Sequence, residues 1–157
     1  MKKSLLTIIL VAFATLMYAQ SPVAKTQFNA GVGISSWGLP VYVGVDFGVH
    51  RDITLGAELS FRRRAKYGSV VGVSGNANYH FNRILNIPSP WDFYAGLNVG
   101  YLIWNYDNQY TGAHASGLGL QAQIGGRYFF SDKFGVNLEI GGGNAFSGGK
   151  LGITIRL

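Results

Sequence analysis

The chain has 157 residues, and only 13% of them are charged, whereas an ordinary soluble domain has about a quarter. It has no cysteine, which excludes a disulfide framework, and its 23 glycines are roughly twice the average usage. The formal net charge of +6 is spread along the chain without a basic stripe, so nucleic acid is not an expected partner.

The first element in chain order is a cleavable secretory signal peptide, which we predict at residues 1–19. Lys2 and Lys3 form its basic start, and residues 5–17 form an apolar run. Ala19 is a small residue at the expected cleavage point. The apolar run is too short to cross a membrane, and no second run follows it.

The remaining chain, residues 20–157, is predicted to be one domain of alternating strands. In residues 92–103 every odd position is apolar, whereas the even positions include Asn98 and Gly100. Successive side chains of a strand point to opposite faces, so each such segment has an apolar face and a polar, thin face. The pattern predicts eight strands at about 26–34, 41–49, 53–62, 70–81, 92–103, 115–130, 134–142 and 149–157.

These strands have the length that a membrane-spanning strand needs, about 9–11 residues. Lipid tolerates no unpaired sheet edge, so strands cross a membrane only as a closed barrel. We therefore predict an all-β fold, an eight-stranded antiparallel up-and-down transmembrane β-barrel. The shorter connections at residues 49–52 and 131–133 place both chain termini in the periplasm.

Aromatic residues near the strand ends predict two girdles that flank an aliphatic belt. One girdle is predicted at Phe28, Phe47, Tyr79, Phe81, Phe93, Tyr128, Phe130 and Phe134, and the other at Phe61, Tyr101, Trp104 and Tyr106.

The inward parity carries glycines, a few large residues and a set of ionisable residues. An eight-stranded barrel is just wide enough for side chains to fill, so many inward positions must be small. A charge in such a lumen must be paired or solvated. We interpret the ionisable set as a structural ion-pair plug, in which Arg127 and Arg156 pair with Glu58 and Glu139; the alternative is an ion or proton path. The lumen set is Asp46, Glu58, His80, Asp92, Arg127, Glu139 and Arg156.

The densest charge cluster in the sequence is Arg62, Arg63, Arg64 and Lys66, at the predicted extracellular end of a strand. Lipopolysaccharide phosphates lie at that height in an outer membrane, and arginine pairs well with phosphate. A solvated loop explains the cluster equally well, so lipopolysaccharide contact is one of two interpretations.

The chain resembles the small eight-stranded outer-membrane barrels of the OmpA/OmpX/OmpW type, in particular the outer membrane protein β-barrel domain proteins of Bacteroidota. Besides the alternation, the end of the signal peptide and the last strand carry the resemblance. Lys150, Gly152, Ile155 and Leu157 occupy the four defined places of that family's assembly signal. The resemblance implies an integral outer-membrane monomer, inserted by the barrel-assembly machinery and surrounded by lipid and lipopolysaccharide.

Three functions follow as hypotheses. The first is a non-catalytic barrel with a structural or surface-interaction role, and the second is a narrow channel or carrier for small solutes. The third is a lipid A-modifying enzyme, because His114 and Ser116 resemble the His-x-Ser of the lipid A deacylases. Nucleophilic catalysis also needs an acid that orients the histidine, and no carboxylate lies on the corresponding face. We therefore predict no catalytic residue, cofactor or metal.

Overall fold

The computed structural model describes residues 26–65, 67–106 and 115–157, and the predicted signal peptide lies outside them. The described residues form eight strands: β1 (Gln27–Ser35), β2 (Leu39–His50), β3 (Ile53–Arg64), β4 (Gly68–His80), β5 (Trp91–Tyr106), β6 (Gly117–Phe129), β7 (Phe134–Gly143) and β8 (Gly148–Arg156).

Each strand pairs antiparallel with the next, and β8 pairs with β1, so the sheet closes into an up-and-down barrel. The predicted fold class is confirmed, and the predicted strand ends differ from the observed ones by at most three residues. No helix in the described part of the chain is long and apolar enough to cross a membrane.

The connections between strands lie at two opposite ends of the barrel. Residues 51–52, 81–90 and 130–133 connect strands at the end where β1 begins and β8 ends, which we call the turn end. Residues 36–38, 65–67, 107–116 and 144–147 connect strands at the opposite end, which we call the loop end.

Burial alternates along the strands as the sequence pattern predicts. In β5, Asp92, Tyr94 and Asn98 are buried in the interior, whereas Leu97 and Val99 are exposed on the outer wall. Apolar side chains cover the outside, and polar side chains fill the inside. This arrangement reverses that of a water-soluble domain, whose apolar side chains face the core.

Glycine on the inward parity makes room for a large neighbour on the next strand. A Cβ atom on Gly125 of β6 would collide with the ring and hydroxyl of Tyr94, its partner residue on β5. A Cβ atom on Gly56 would likewise collide with the side chains of Asp46 and Asn76. Glycine at these positions lets bulky polar groups cross a narrow lumen.

At the loop end, the first residues of β6 extend beyond the last residue of β7 and have no partner strand on that side. The side chain of Asn144 closes the barrel wall there. Asn144 accepts a hydrogen bond from the Leu120 amide over 2.6 Å and donates one to the Leu118 carbonyl over 3.2 Å. The Ala145 amide then donates to the Leu120 carbonyl over 3.2 Å. The backbone hydrogen-bonding groups of Leu118 and Leu120, at the loop end of β6, therefore have partners although no strand lies beside them.

Candidate functional site

The interior of the barrel is held together by polar contacts rather than by apolar packing. Among the described residues, only six hydrophobic side chains are buried: Tyr42, Val70, Tyr94, Leu102, Phe129 and Phe146. The ionisable side chains that lie among them form two clusters, one nearer the turn end and one nearer the loop end.

The first cluster, which we call the arginine cluster, is centred on Arg127 of β6. Its Nη2 atom lies 2.7 Å from Asp46 Oδ2, and its Nη1 atom lies 3.3 Å from Asp92 Oδ2. His80 Nδ1 lies 2.7 Å from the other oxygen of Asp92. The guanidinium also lies over the ring of Tyr94, 4.4 Å from its centroid. One cation thus joins carboxylates of β2 and β5 across the interior.

Neutral side chains also donate hydrogen bonds to Asp46. Asn29 and Asn76 each donate a hydrogen bond of 2.9 Å to Asp46. Thr154 donates to Asn29 over 2.7 Å, and Asn137 donates to Thr154 over 2.9 Å. These hydrogen bonds connect the arginine cluster with residues of β7 and β8.

Thr54, His80 and Asp92 stand in the order of a hydrolytic triad, because His80 Nε2 lies 3.0 Å from Thr54 Oγ1. All three residues are fully buried, at 0% exposure. A nucleophile acts only where a substrate can reach it. The arrangement therefore ties β3, β4 and β5 together at the turn end and provides no accessible catalytic group.

The second cluster, which we call the lysine cluster, is centred on Lys150 of β8. Its Nζ atom lies 2.7 Å from Oε1 and 2.9 Å from Oε2 of Glu58, and 3.2 Å from Oε1 of Glu139. Tyr94 donates a hydrogen bond of 3.0 Å to the other oxygen of Glu139. Tyr94 thus contacts both clusters, and one polar network runs through the interior.

The predicted pairing of Arg127 and Arg156 with Glu58 and Glu139 is wrong. Lys150 takes that place, and its even position, shared with inward Gly152, already indicated an inward side chain. The half-buried Arg156 instead stacks on Phe129, with its guanidinium carbon 3.3 Å from the ring centroid.

Little space remains between these side chains. A polar cavity of about 20 Å³ lies between the clusters, and a second of about 30 Å³ lies beside Lys150, Arg62 and Phe146. Each of these cavities has room for only a few water molecules. The side chains of the two clusters and their neighbours therefore plug the lumen.

Arg62 is buried, unlike the other two arginines of the predicted cluster. Its position is on the inward parity of β3, it is 8% exposed, and its Nη2 atom donates to the Ala145 carbonyl over 2.7 Å. The prediction that Arg62 belongs to a lipopolysaccharide-binding cluster is therefore wrong. Arg63 and Arg64 are exposed at the loop end, whereas Lys66 lies outside the described residues.

Two residues predicted in the second aromatic girdle belong to another cluster. Trp104 and Tyr106 have the inward parity of β5 and pack with Trp37 of the β1–β2 connection. The ring centroids of Trp37 and Trp104 are 4.7 Å apart, and Arg62 lies 5.8 Å from the Trp104 ring. These rings stand at the mouth of the barrel, whereas Phe61 and Tyr101 are exposed on the wall.

The outward aromatic residues at the turn end agree better with the prediction. Phe28, Phe93, Tyr128, Phe130 and Phe134 are exposed there. Trp91, which sequence reasoning missed, lies among them on the same outward parity: its ring centroid is 5.6 Å from that of Phe93 and 4.8 Å from that of Tyr128.

The remaining predicted residues lie near the ends of strands. Ser116 accepts a hydrogen bond of 2.9 Å from the Trp104 amide, which continues the ladder between β5 and β6. His114 lies outside the described residues. In β8, Gly152 faces the Tyr42 hydroxyl, and Leu157 is exposed at the turn end. The role of this last segment in assembly stays a prediction.

No protein-family model matches the sequence, and no curated protein matches it either. Solved structures of small outer-membrane barrels do match the fold. The N-terminal β-barrel domain of Pseudomonas aeruginosa OprF aligns with a TM-score of 0.69 at 13% identity, covering 85% of this chain and 98% of that one.

Two further barrels are similar over the same share of the chain. Neisserial surface protein A aligns with a TM-score of 0.58 at 12% identity, covering 85% of this chain and 96% of that one. The Yersinia pestis outer membrane protein Ail aligns with a TM-score of 0.56 at 12% identity, covering 85% and 99%. At this identity the likeness defines the fold class, a small eight-stranded outer-membrane-type barrel.

Proposed function

We propose that this chain is an integral outer-membrane barrel with a structural or surface-interaction role and no catalytic activity. The observation that carries the proposal is the plugged interior: the arginine and lysine clusters meet at Tyr94 and leave cavities of about 20 and 30 Å³. A barrel with such a lumen offers its outer wall and its loops for function.

The location in a membrane is supported by the outer wall. Leu97, Leu138 and Ile153, on three different strands, are each at least half exposed on the outward face. A soluble monomer rarely exposes an apolar patch larger than a few hundred Å². Here such side chains cover the wall around the barrel, with aromatic rings at the turn end, as lipid requires.

The turn end is the periplasmic end in this proposal, so both termini lie in the periplasm. The last strand supports membership of the OmpA/OmpX/OmpW-type barrels of Bacteroidota, because Lys150, Gly152, Ile155 and Leu157 fit that assembly signal. The barrel-assembly machinery would read it during insertion. The barrel needs no second copy to close its sheet, which favours a monomer.

At the loop end, Arg63 and Arg64 are exposed beside the outer rim, and Lys66 is adjacent to them in sequence. We propose that this pair, with Lys66, contacts lipopolysaccharide phosphates. Arg62 is excluded from that role by its bond to the Ala145 carbonyl.

The two competing functions have less support. A channel for small solutes requires the ion pairs of the lumen to part, at the cost of leaving buried charges unpaired. An enzyme of the lipid A deacylase type requires an acid that orients the histidine, and the sequence offers no carboxylate on the face that Ser116 occupies.

Cysteine labelling in whole cells tests the location and orientation, since the chain has no cysteine of its own. Ser36→Cys at the loop end should react with a membrane-impermeant maleimide in intact cells. Asp132→Cys at the turn end should react only after the outer membrane is permeabilised. The reverse pattern would invert the topology, and recovery of both variants in the soluble fraction would contradict a membrane location.

Mass spectrometry of lipid A tests the absence of catalysis. Lipid A from cells that express the protein should keep all its acyl chains. Loss of an acyl chain that is abolished by Ser116→Ala would instead establish a lipid A-modifying enzyme.

A further inference from the structure

The connection between β4 and β5, residues 81–90, has its own network of hydrogen bonds at the turn end. It takes no part in the lumen clusters or the loop end described above. The Leu85 amide donates to the Phe81 carbonyl over 3.0 Å, which closes a single α-turn, one helical turn that is not continued. The Asn82 side chain donates to the Trp91 carbonyl over 2.5 Å and accepts from the Phe93 amide over 3.1 Å. The connection is therefore fixed to the start of β5.

A second attachment fixes the connection to the neighbouring turn. The exposed guanidinium of Arg83 forms a bidentate ion pair with the buried carboxylate of Asp52, in the turn between β2 and β3. The His80 amide donates to the Asp52 carbonyl over 2.7 Å. Asn86, with φ of 50°, follows the helical turn, and asparagine tolerates this left-handed conformation. These contacts fix the direction in which the turn presents its side chains.

The helical turn presents apolar side chains on the outer side of the barrel. Phe81 follows the lumen-facing His80, and its ring centroid is 5.3 Å from that of outward-facing Tyr79. Residues three and four positions apart share a face of a helical turn, and this spacing favours Ile84 and Leu85 on the side of Phe81. Ile84 is 58% exposed and Leu85 is 63% exposed.

This apolar face continues the aromatic surface of the turn end. The ring of Trp91 contacts those of Phe93 and Tyr128, and all three residues are exposed on the outer wall. Aromatic rings of this kind mark the depth of the lipid headgroups. Ile84 and Leu85 belong to a connection at the same end of the barrel, and that connection is bonded to Trp91 and Phe93 through Phe81 and Asn82.

We propose that the helical turn of residues 81–85 is an interfacial anchor that inserts Ile84 and Leu85 into the lipid leaflet at the turn end. The inference rests on the proposed membrane location. Its partner is phospholipid rather than a periplasmic protein, because the apolar face is continuous with the surface that lipid already covers. Arg83, within this turn, keeps its charge paired with Asp52.

Depth measurement by fluorescence quenching tests the anchor. Single-cysteine variants Ile84→Cys and Leu85→Cys carry an environment-sensitive dye and are reconstituted in phosphatidylcholine and phosphatidylglycerol vesicles. Asp132→Cys, exposed in another connection at the same end, is the matched aqueous reference. Leu97→Cys, in the middle of β5, is the membrane reference, and its quenching is read with a nitroxide placed deep on the lipid acyl chain. Heat-modifiable gel mobility confirms that each variant is folded.

The dye at positions 84 and 85 should be quenched several-fold more strongly than at Asp132 by a nitroxide lipid labelled near the headgroup. It should also be several-fold less accessible to aqueous iodide. Quenching equal to that at Asp132 would overturn the proposal. Protection from iodide without quenching by the lipid would also overturn it, since it would reveal a protein contact.

The Leu97 reference separates this failure from a failure of the proposed function. If the dye at Leu97 is quenched by lipid but the dyes at 84 and 85 are not, the barrel spans a membrane and the anchor alone is wrong. If the dye at Leu97 is not quenched, the membrane location is wrong, and the anchor fails with it.

Discussion

Lys150, on the last strand, reaches across the barrel to Glu58 on the third strand, with its Nζ atom 2.7 and 2.9 Å from the two carboxylate oxygens. The same atom lies 3.2 Å from Glu139 on the seventh strand. Lys150 is 3% exposed, so its charge is balanced by protein groups rather than by water. One side chain thereby links three strands of the wall through the interior.

Replacing Lys150 with methionine should destabilise the folded barrel by about 3–5 kcal/mol, because the buried carboxylate of Glu139 and the partly buried carboxylate of Glu58 lose their cation. The measurement is the free energy of unfolding in urea for protein folded in lipid vesicles. The double variant Lys150→Met with Glu58→Gln should recover part of the loss. Strictly additive effects of the two substitutions would contradict a direct pair.

Arg127→Met should also destabilise the barrel by about 3–5 kcal/mol, because Asp46 and Asp92 would stay buried without their shared partner. Arg156→Met is the matched control, since Arg156 is half-buried and stacks on Phe129. Its loss should cost about 1 kcal/mol, the scale of a partly exposed cation–π contact. Equal costs for the two arginines would mean that water solvates the charges of the lumen.

Asn144→Ala should loosen the barrel wall at the loop end of β6, where the Asn144 side chain replaces a neighbouring strand. It removes two hydrogen bonds, to the Leu120 amide and the Leu118 carbonyl, at about 0.5–1.5 kcal/mol each. The clearest measurement is hydrogen exchange, in which the Leu120 amide should lose protection. The exposed Asn105 of β5 supplies a control, Asn105→Ala. Unchanged exchange at Leu120 would show that the side chain of Asn144 does not close the wall.

The ion pair at the turn end predicts an acid dependence. The hydrogen bond from Arg83 lowers the pKa of Asp52 below its usual value, and the charge of Arg83 acts in the same direction. A carboxylate with a lowered folded-state pKa stabilises the protein above its unfolded pKa of about 3.9, and this stabilisation is lost as the pH falls through the folded value.

Arg83→Gln should therefore lower the free energy of unfolding at neutral pH, and the difference from the wild type should shrink as the pH falls below about 4. Unfolding curves at a series of pH values measure this difference. A difference that is independent of pH would indicate that Arg83 acts through packing alone.

The strands and their faces could be predicted from the sequence because both depend on a local period of two residues. The inward placement of Asp46, Glu58, Asp92, Arg127 and Glu139 followed from parity alone. The same rule also placed Lys150, Arg62 and Trp104 inside. Their positions near strand ends instead favoured the assembly-signal, lipopolysaccharide and girdle interpretations.

The pairing inside the lumen could not be predicted in this way. Arg127 and Asp46 are 81 positions apart in the sequence, and Lys150 and Glu58 are 92 positions apart. Which cation meets which carboxylate depends on the tilt and stagger of the strands around the closed barrel. No local pattern encodes that stagger, so parity gives the members of the network but not its contacts.

The plugged lumen is the central claim, and ionic current tests it most directly. Purified wild-type protein, folded as judged by heat-modifiable mobility, is reconstituted in planar bilayers under molar potassium chloride. The arginine and lysine clusters predict no steady conductance above that of the bilayer alone. Discrete, reproducible openings of the wild-type protein, altered by Lys150→Met or Arg127→Met, would contradict the account and establish a channel lined by these residues.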